Sequence, residues 1–231
     1  LNKDAQKKKW PISKVSCFAA GTLAQDYSLL SVGAALGEEC GPKFVAKSHK
    51  PIEEMTVAVP GLTTTAYALF GLTLPQPKRI ICLPYNHIID AILSGKADGG
   101  VLIHESRFTF PERGLEELAD LGTLYIKQYH CPIPLGVFVA RKTLCQKKSA
   151  AITEAMERSL AYAKSHFEEM LPMMLEHAIE KNAPLITDFI NLYVTDETAH
   201  ISRTGYHAIE TFFRACIEKK ILPPSSLELL S

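Results

Sequence analysis

Residues 99–110 read GGVLIHESRFTF: small and aliphatic positions give way at once to His104, Glu105, Ser106 and Arg107. An imidazole titrates near neutrality and can take a proton from a substrate hydroxyl. In open α/β sheets, ligands gather at the carboxyl ends of strands, and His104 ends a predicted strand over residues 99–103. If the chain stays extended, Ser106 shares the His104 side, and Glu105 and Arg107 point the other way. Two readings are open here. His104 is a general base on the floor of a site, or the run is a capped strand end with a surface Glu105–Arg107 pair.

A second stretch, VAVPGLTTTAYALF at residues 57–70, is a predicted strand, a Pro-Gly turn and a helix opened by Thr63, Thr64 and Thr65. Unpaired N–H groups at a helix start attract anions, and threonine hydroxyls add donors. Plain N-capping would need only one threonine, so an anionic or hydroxyl-bearing ligand is the stronger expectation. Ser13 and Ser16, near a strand start in ISKVSCFAA, read as structural when taken alone. The glycine-rich run at residues 32–47 lacks phosphate-loop spacing, and Gly41-Pro42 most simply turns the chain. Neither the Walker pattern nor GxGxxG occurs, so no nucleotide cofactor is implied. His200 and His207 could share a helix face, but nothing nearby completes a metal site.

The elements that must position these residues fit an ordinary globular chain. Its 231 residues suffice for one large domain or two small lobes. Lys plus Arg equals Asp plus Glu at 25 each, so no net field favours nucleic acid or an anionic membrane. Lys7, Lys8 and Lys9 form the only basic run, read as a solvated turn before Trp10. No stretch approaches the ~20 apolar residues of a membrane helix, and no signal peptide is visible. Six cysteines without a CxxC pair, mostly in apolar runs, point to a reduced, cytoplasmic protein. The chain starts at Leu1 in mid-pattern, so a preceding N-terminal segment is expected in the native protein.

Apolar runs predict strands over residues 15–19, 28–32, 44–46, 56–59, 79–83, 99–103, 121–127 and 135–140. Helical spacing falls over 64–72, 87–94 and 114–121, then over 149–165, 167–181, 185–194 and 200–219. The pattern predicts an α/β fold with largely parallel pairing and a helical C-terminal third. Residues 48–54 and 130–134 look like crossings between lobes, the second because of Pro132 and Pro134. They divide the chain into a discontinuous larger lobe, 1–50 with 132–231, and a central lobe, 51–131. Such a two-lobe clamp binds its ligand in the cleft. The expected partner is a small molecule, and oligomeric state is not legible.

The runs IHESRFTF and VAVPGLTTTAY, residues 33–47 read loosely, DLG at 120–122 and PIPLG at 132–136 resemble the 1,4-dihydroxy-6-naphthoate synthases of the futalosine route to menaquinone. The resemblance runs essentially end to end, and HESRFT with PIPLG is specific. It implies a fold like the type II periplasmic binding proteins, with the ligand between two α/β lobes. It implies a carbon–carbon lyase that needs no cofactor and converts cyclic dehypoxanthinyl futalosine, an aromatic carboxylate bearing a sugar, to dihydroxynaphthoate. It implies His104 as the base. It also implies substrate contacts at Ser16, in a Lys-x-Ser motif, and at Thr65, in a Thr-Thr-Ala-Tyr motif, with Thr64 beside it. The alternatives are the related chorismate dehydratase, which HESRFT disfavours, and a solute-binding protein without catalysis. The chain departs from the family pattern in three places. It has no Ser-Pro-Cys-Pro-Asn-Asp motif, it has Leu124-Tyr125 where a Trp-Trp pair often stands, and it has Thr195 where Tyr-Val-Asn would end in Asn.

Overall fold

The longest strand organises one half of the molecule. In the structure, a computed structural model describing residues 1–38, 41–104, 106–178 and 181–230, the run IPLGVFVAR has six of its nine residues buried, as expected of a central strand enclosed on both faces. The chain begins with α1 (Asn2–Gln6), β1 (Ile12–Ser16), α2 (Cys17–Gly21), β2 (Tyr27–Leu29), β3 (Ala35–Gly37) and β4 (Lys43–Ala46). It continues through β5 (Thr56–Val59), α3 (Thr65–Thr73), β6 (Arg79–Cys82), α4 (Ile88–Leu93), β7 (Gly99–Leu102) and α5 (Ser106–Thr109). Then come β8 (Glu116–Asp120), α6 (Leu121–Tyr129) and the long strand itself, β9 (Ile133–Arg141). The final stretch is helical: α7 (Lys142–Ser165), α8 (Phe167–His177), α9 (Ala183–Tyr193), α10 (Asp196–Ala199) and α11 (Arg203–Glu218).

β9 pairs with β1, β2 and β3, every pair antiparallel. The second sheet runs β6-β5-β7-β4-β8. Only β5 with β6 and β5 with β7 are parallel there, and β4 pairs antiparallel with β7 and β8. The expectation of largely parallel pairing is therefore corrected. Parallel pairing needs a covering crossover, and α3 and α4 supply one each, between β5 and β6 and between β6 and β7.

β4 belongs to the second sheet, so the change of sheet comes before Lys43 rather than at residue 50. The return comes between β8 and β9 through α6. Where these passages meet, the backbones of Gly41 and Gly122 touch: a Cβ on Gly41 would lie 2.4 Å from Gly122 Cα.

Three local expectations are also corrected. Residues 15–19 are not a strand; β1 ends at Ser16 and α2 starts at Cys17. Residues 114–121 and 121–127 exchange roles, the first holding β8 and the second α6. Both segments are too short for periodicity to decide, and strand pairing of β8 with β4 settles the first. Asp120 settles the second by capping α6, its carboxylate accepting from Thr123 N at 2.9 Å. The same carboxylate meets Lys43 Nζ at 2.6 Å, and Glu117 meets it at 3.0 Å.

One apolar core joins both sheets. It includes Val15 and Val137 from the first, Phe44 and Val57 from the second, and Leu69, Phe212 and Phe213 from α3 and α11. Phe44 meets Phe70 edge-on with ring centroids 5.1 Å apart. α11 buries Ile209, Phe213 and Cys216 along one face. By contrast α7 and α8 bury no residue fully; Ile152, Met156, Leu160 and Ala163 are only half-buried. No helix among the described residues is long and apolar enough to cross a membrane.

Candidate active site

A cavity of about 380 Å³ opens between the two sheets, lined by residues of β1, α3, β9, α9 and the segment after β7. That volume falls in the usual range of small-molecule sites. It gathers all four residues singled out in the sequence, Ser16, Thr64, Thr65 and His104.

The first-sheet wall starts at β1, whose alternation puts Lys14 and Ser16 on one face. Asn2 holds Ser16 twice. Its Nδ2 donates to Ser16 Oγ at 3.1 Å, and its Oδ1 accepts from Ser16 N at 3.0 Å. Ser16 Oγ thus accepts one bond and keeps its own proton to donate. Lys14 Nζ donates to Gly33 O and sits 5.1 Å from the Phe138 ring centroid. Burial lowers the Lys14 ammonium to about 8.

α3 carries the two threonines. Thr64 Oγ1 caps the helix, accepting from Tyr67 N at 3.2 Å and donating to Gly61 O at 2.7 Å. Thr65 is buried, and its hydroxyl donates to Leu135 O at 2.9 Å and accepts from Phe18 N at 3.3 Å. These bonds tie α3 to β9 and to the start of α2. Both hydroxyls are committed to the protein, so what the α3 start offers a ligand is mainly its first-turn N–H groups.

The second-sheet wall is built differently. Every residue of β7 is buried. After Ile103 the chain does not stay extended: His104 takes a left-handed backbone, φ 54°. That region is uncommon outside glycine, is tolerated by histidine better than by most, and clusters at functional sites. Ser106 Oγ then donates to Ile103 O at 2.7 Å, and α5 begins. The His104 ring lies 4.7 Å from the Tyr85 ring and 6.0 Å from Phe189.

The turn also moves Arg107. Helical winding brings it to the cavity beside His104 rather than to the opposite face. It is 7% exposed, its Nη1 donates to Tyr193 OH at 2.9 Å, and its buried Nε has no partner among the described residues. Arg107 is therefore not half of a surface pair; Glu105 lies outside the described residues, as does Cys40.

Sequence reasoning missed Asn2, Lys14, Arg107, Phe189 and Tyr193 as lining residues. Two signals were available: Lys14 stands two before Ser16 on a strand, and Arg107 three after His104 at a helical interval. Phe189 and Tyr193 share a face of α9, but no local pattern says that face meets the cavity. The family departures fall in ordinary places. Tyr125 is fully buried in the core, and Thr195 forms a capping box with Thr198 at α10. Among the described residues no group of three His, Cys, Asp or Glu side chains could hold a metal.

A family profile described as menaquinone biosynthesis matches residues 1–218. Two relatives, both named 1,4-dihydroxy-6-naphthoate synthase, are similar at 34% identity. The one from Thermus thermophilus aligns over 97% of this chain and 83% of its own length. The one from Streptomyces coelicolor aligns over 95% and 80%. A crystal structure of an Archaeoglobus fulgidus protein superposes with a TM-score of 0.90 at 28% identity, covering 96% of this chain and 84% of that one. The periplasmic aliphatic sulphonate-binding protein of Escherichia coli superposes with a TM-score of 0.65 at 12% identity, covering 99% and 78%. That last likeness establishes the periplasmic-binding-protein-like fold and nothing more.

Proposed function

The chain belongs to the menaquinone-biosynthesis family, and we propose that it is the carbon–carbon lyase of that family that forms 1,4-dihydroxy-6-naphthoate from cyclic dehypoxanthinyl futalosine. The name its relatives share and the end-to-end alignment support the product. His104 carries the chemistry in this reading: the imidazole stands on the cavity wall at the end of a fully buried strand.

The reaction needs a proton removed from a sugar hydroxyl and a carbon–carbon bond broken next to the aromatic ring system. As His104 takes the proton as general base, the hydroxyl oxygen forms a carbonyl on the departing sugar fragment, and the electron pair of the broken carbon–carbon bond passes to the ring system. Rings at 4.7 and 6.0 Å hold the imidazole in place, which limits the reorganisation needed at the moment of transfer. Ser16 donates to the substrate from the facing wall, held there by Asn2. Thr64 and Thr65 place the α3 N-terminus against the cavity, where its N–H groups favour an oxygen that gains negative charge. Mostly apolar walls keep water from competing with these contacts.

The test is turnover. Protein mixed with cyclic dehypoxanthinyl futalosine should release dihydroxynaphthoate, followed by absorbance and mass, and His104→Asn should abolish most of it. Ligand bound but returned unchanged would make the protein a binding protein on this fold. Consumption of chorismate instead would make it the related dehydratase.

A further inference from the structure

A buried cation without an anion is the least expected feature of the cavity. Arg107 is more than nine-tenths buried, lines the cavity and, among the described residues, has the neutral Tyr193 phenol as its one side-chain hydrogen-bond acceptor, with the Phe108 ring centroid 4.8 Å from its Cζ. Its Nε finds no partner, and no ion pair among the described residues involves it. Guanidinium groups stay charged at any pH a protein meets. Charged groups removed from water are ordinarily paired. We infer that Arg107 is a specificity-determining residue that receives the ring carboxylate of the substrate. This rests on the reading of that substrate as an aromatic carboxylate, and it assigns the carboxylate to one wall.

The alternatives in the cavity are weaker. The α3 start offers only first-turn N–H groups, because the Thr64 and Thr65 hydroxyls are already engaged. Lys14 is the other cation, but its Nζ donates to Gly33 O and lies over the Phe138 ring. Burial lowers its pKa to about 8, so its charge is held less firmly than that of a lysine in water. The Arg107 fork also matches a carboxylate, which can take two parallel N–H bonds. Phe189 and Tyr193 flank the same region, so an aromatic ring attached to that carboxylate has rings to lie against. Tyr193, bonded to Nη1, acts as a positioning residue that turns the guanidinium.

The experiment is calorimetric binding of 2-naphthoate and of its neutral analogue 2-naphthamide. It would use the whole chain and the variants Arg107→Met, Arg107→Lys and Lys14→Met, each checked for native circular dichroism. Wild type and Lys14→Met should prefer naphthoate. Arg107→Met should lose naphthoate affinity on the order of 10- to 100-fold and bind naphthamide unchanged. Arg107→Lys keeps charge without the fork and should fall between; it carries the test if the methionine variant does not fold. Equal binding of the two probes by wild type, no naphthoate binding at millimolar concentration, or a preference lost in Lys14→Met but kept in Arg107→Met would each overturn the inference. No turnover is involved, so failure to form dihydroxynaphthoate would count against the lyase reading and leave this result to stand separately.

Discussion

The two walls of the cavity treat their polar groups in opposite ways. On the wall built by β1 and the α3 start, Thr64, Thr65, Ser16 and Lys14 all have partners within the protein. On the wall built by the end of β7 and α5, His104 sits on a left-handed backbone and Arg107 buries an Nε that has no partner among the described residues. A polar group bonded to its own protein stabilises the fold. A strained or unsatisfied one costs stability and persists where the surroundings fix it. One wall is thus bonded into the scaffold, and the other carries polar groups held against a cost.

Four measurements would sharpen or break this contrast. The largest effect belongs to His104→Asn, because asparagine tolerates the left-handed backbone. Turnover should fall by about 10²- to 10⁴-fold, with the melting temperature held or slightly raised. A large drop in melting temperature would move His104 to the scaffold side. Next is Thr65→Val. Losing its hydroxyl leaves Leu135 O and Phe18 N short of partners, which should cost about 1–3 kcal/mol in urea unfolding. Weakened substrate affinity at unchanged stability would contradict the scaffold role. Thr64→Ala removes an N-cap and should cost about 1 kcal/mol by the same method.

The smallest effect is a pH dependence. The Lys14 ammonium is depressed from 10.5 to about 8 in the fold. Between those values the unfolded chain binds the extra proton, so Lys14 makes stability rise as pH goes from about 8 to 10.5. Comparing the denaturation midpoint of wild type with Lys14→Met at both ends of that window checks it. An identical pH response in the two proteins would mean Lys14 is hydrated in solution.

Much of the scaffold was legible because its signals are local. Residues 56–59 form a strand with the bounds expected, and 64–72 and 87–94 form helices within a residue or two. Turn chemistry and apolar runs decide such elements without help from the rest of the chain. The exchange of strand and helix around Asp120 was not legible, since β8 exists through its partner β4 and through Lys43. The site divides along the same line. His104, Ser16, Thr64 and Thr65 announced themselves by motif, and all four line the cavity. Arg107 did not, because its place depends on a turn at His104 that an extended reading of HESR denies. Phe189 and Tyr193 arrive from far along the chain, as the Arg107 bond to Tyr193 illustrates at a separation of 86.

The contact of Gly41 with Gly122 carries a consequence for how such chains diverge. A methyl group on Gly41 would meet Gly122 Cα at 2.4 Å, and one on Gly122 would meet Gly41 Cα at 2.7 Å. Main chain meets main chain at this point, so shrinking a side chain, even Ile133, whose Cδ1 would lie 2.7 Å from a Cβ on Gly122, could not by itself make room for growth at either glycine. The two positions should therefore behave as a single inherited unit: among descendants of this sequence, neither should enlarge unless the main chain at both has shifted together.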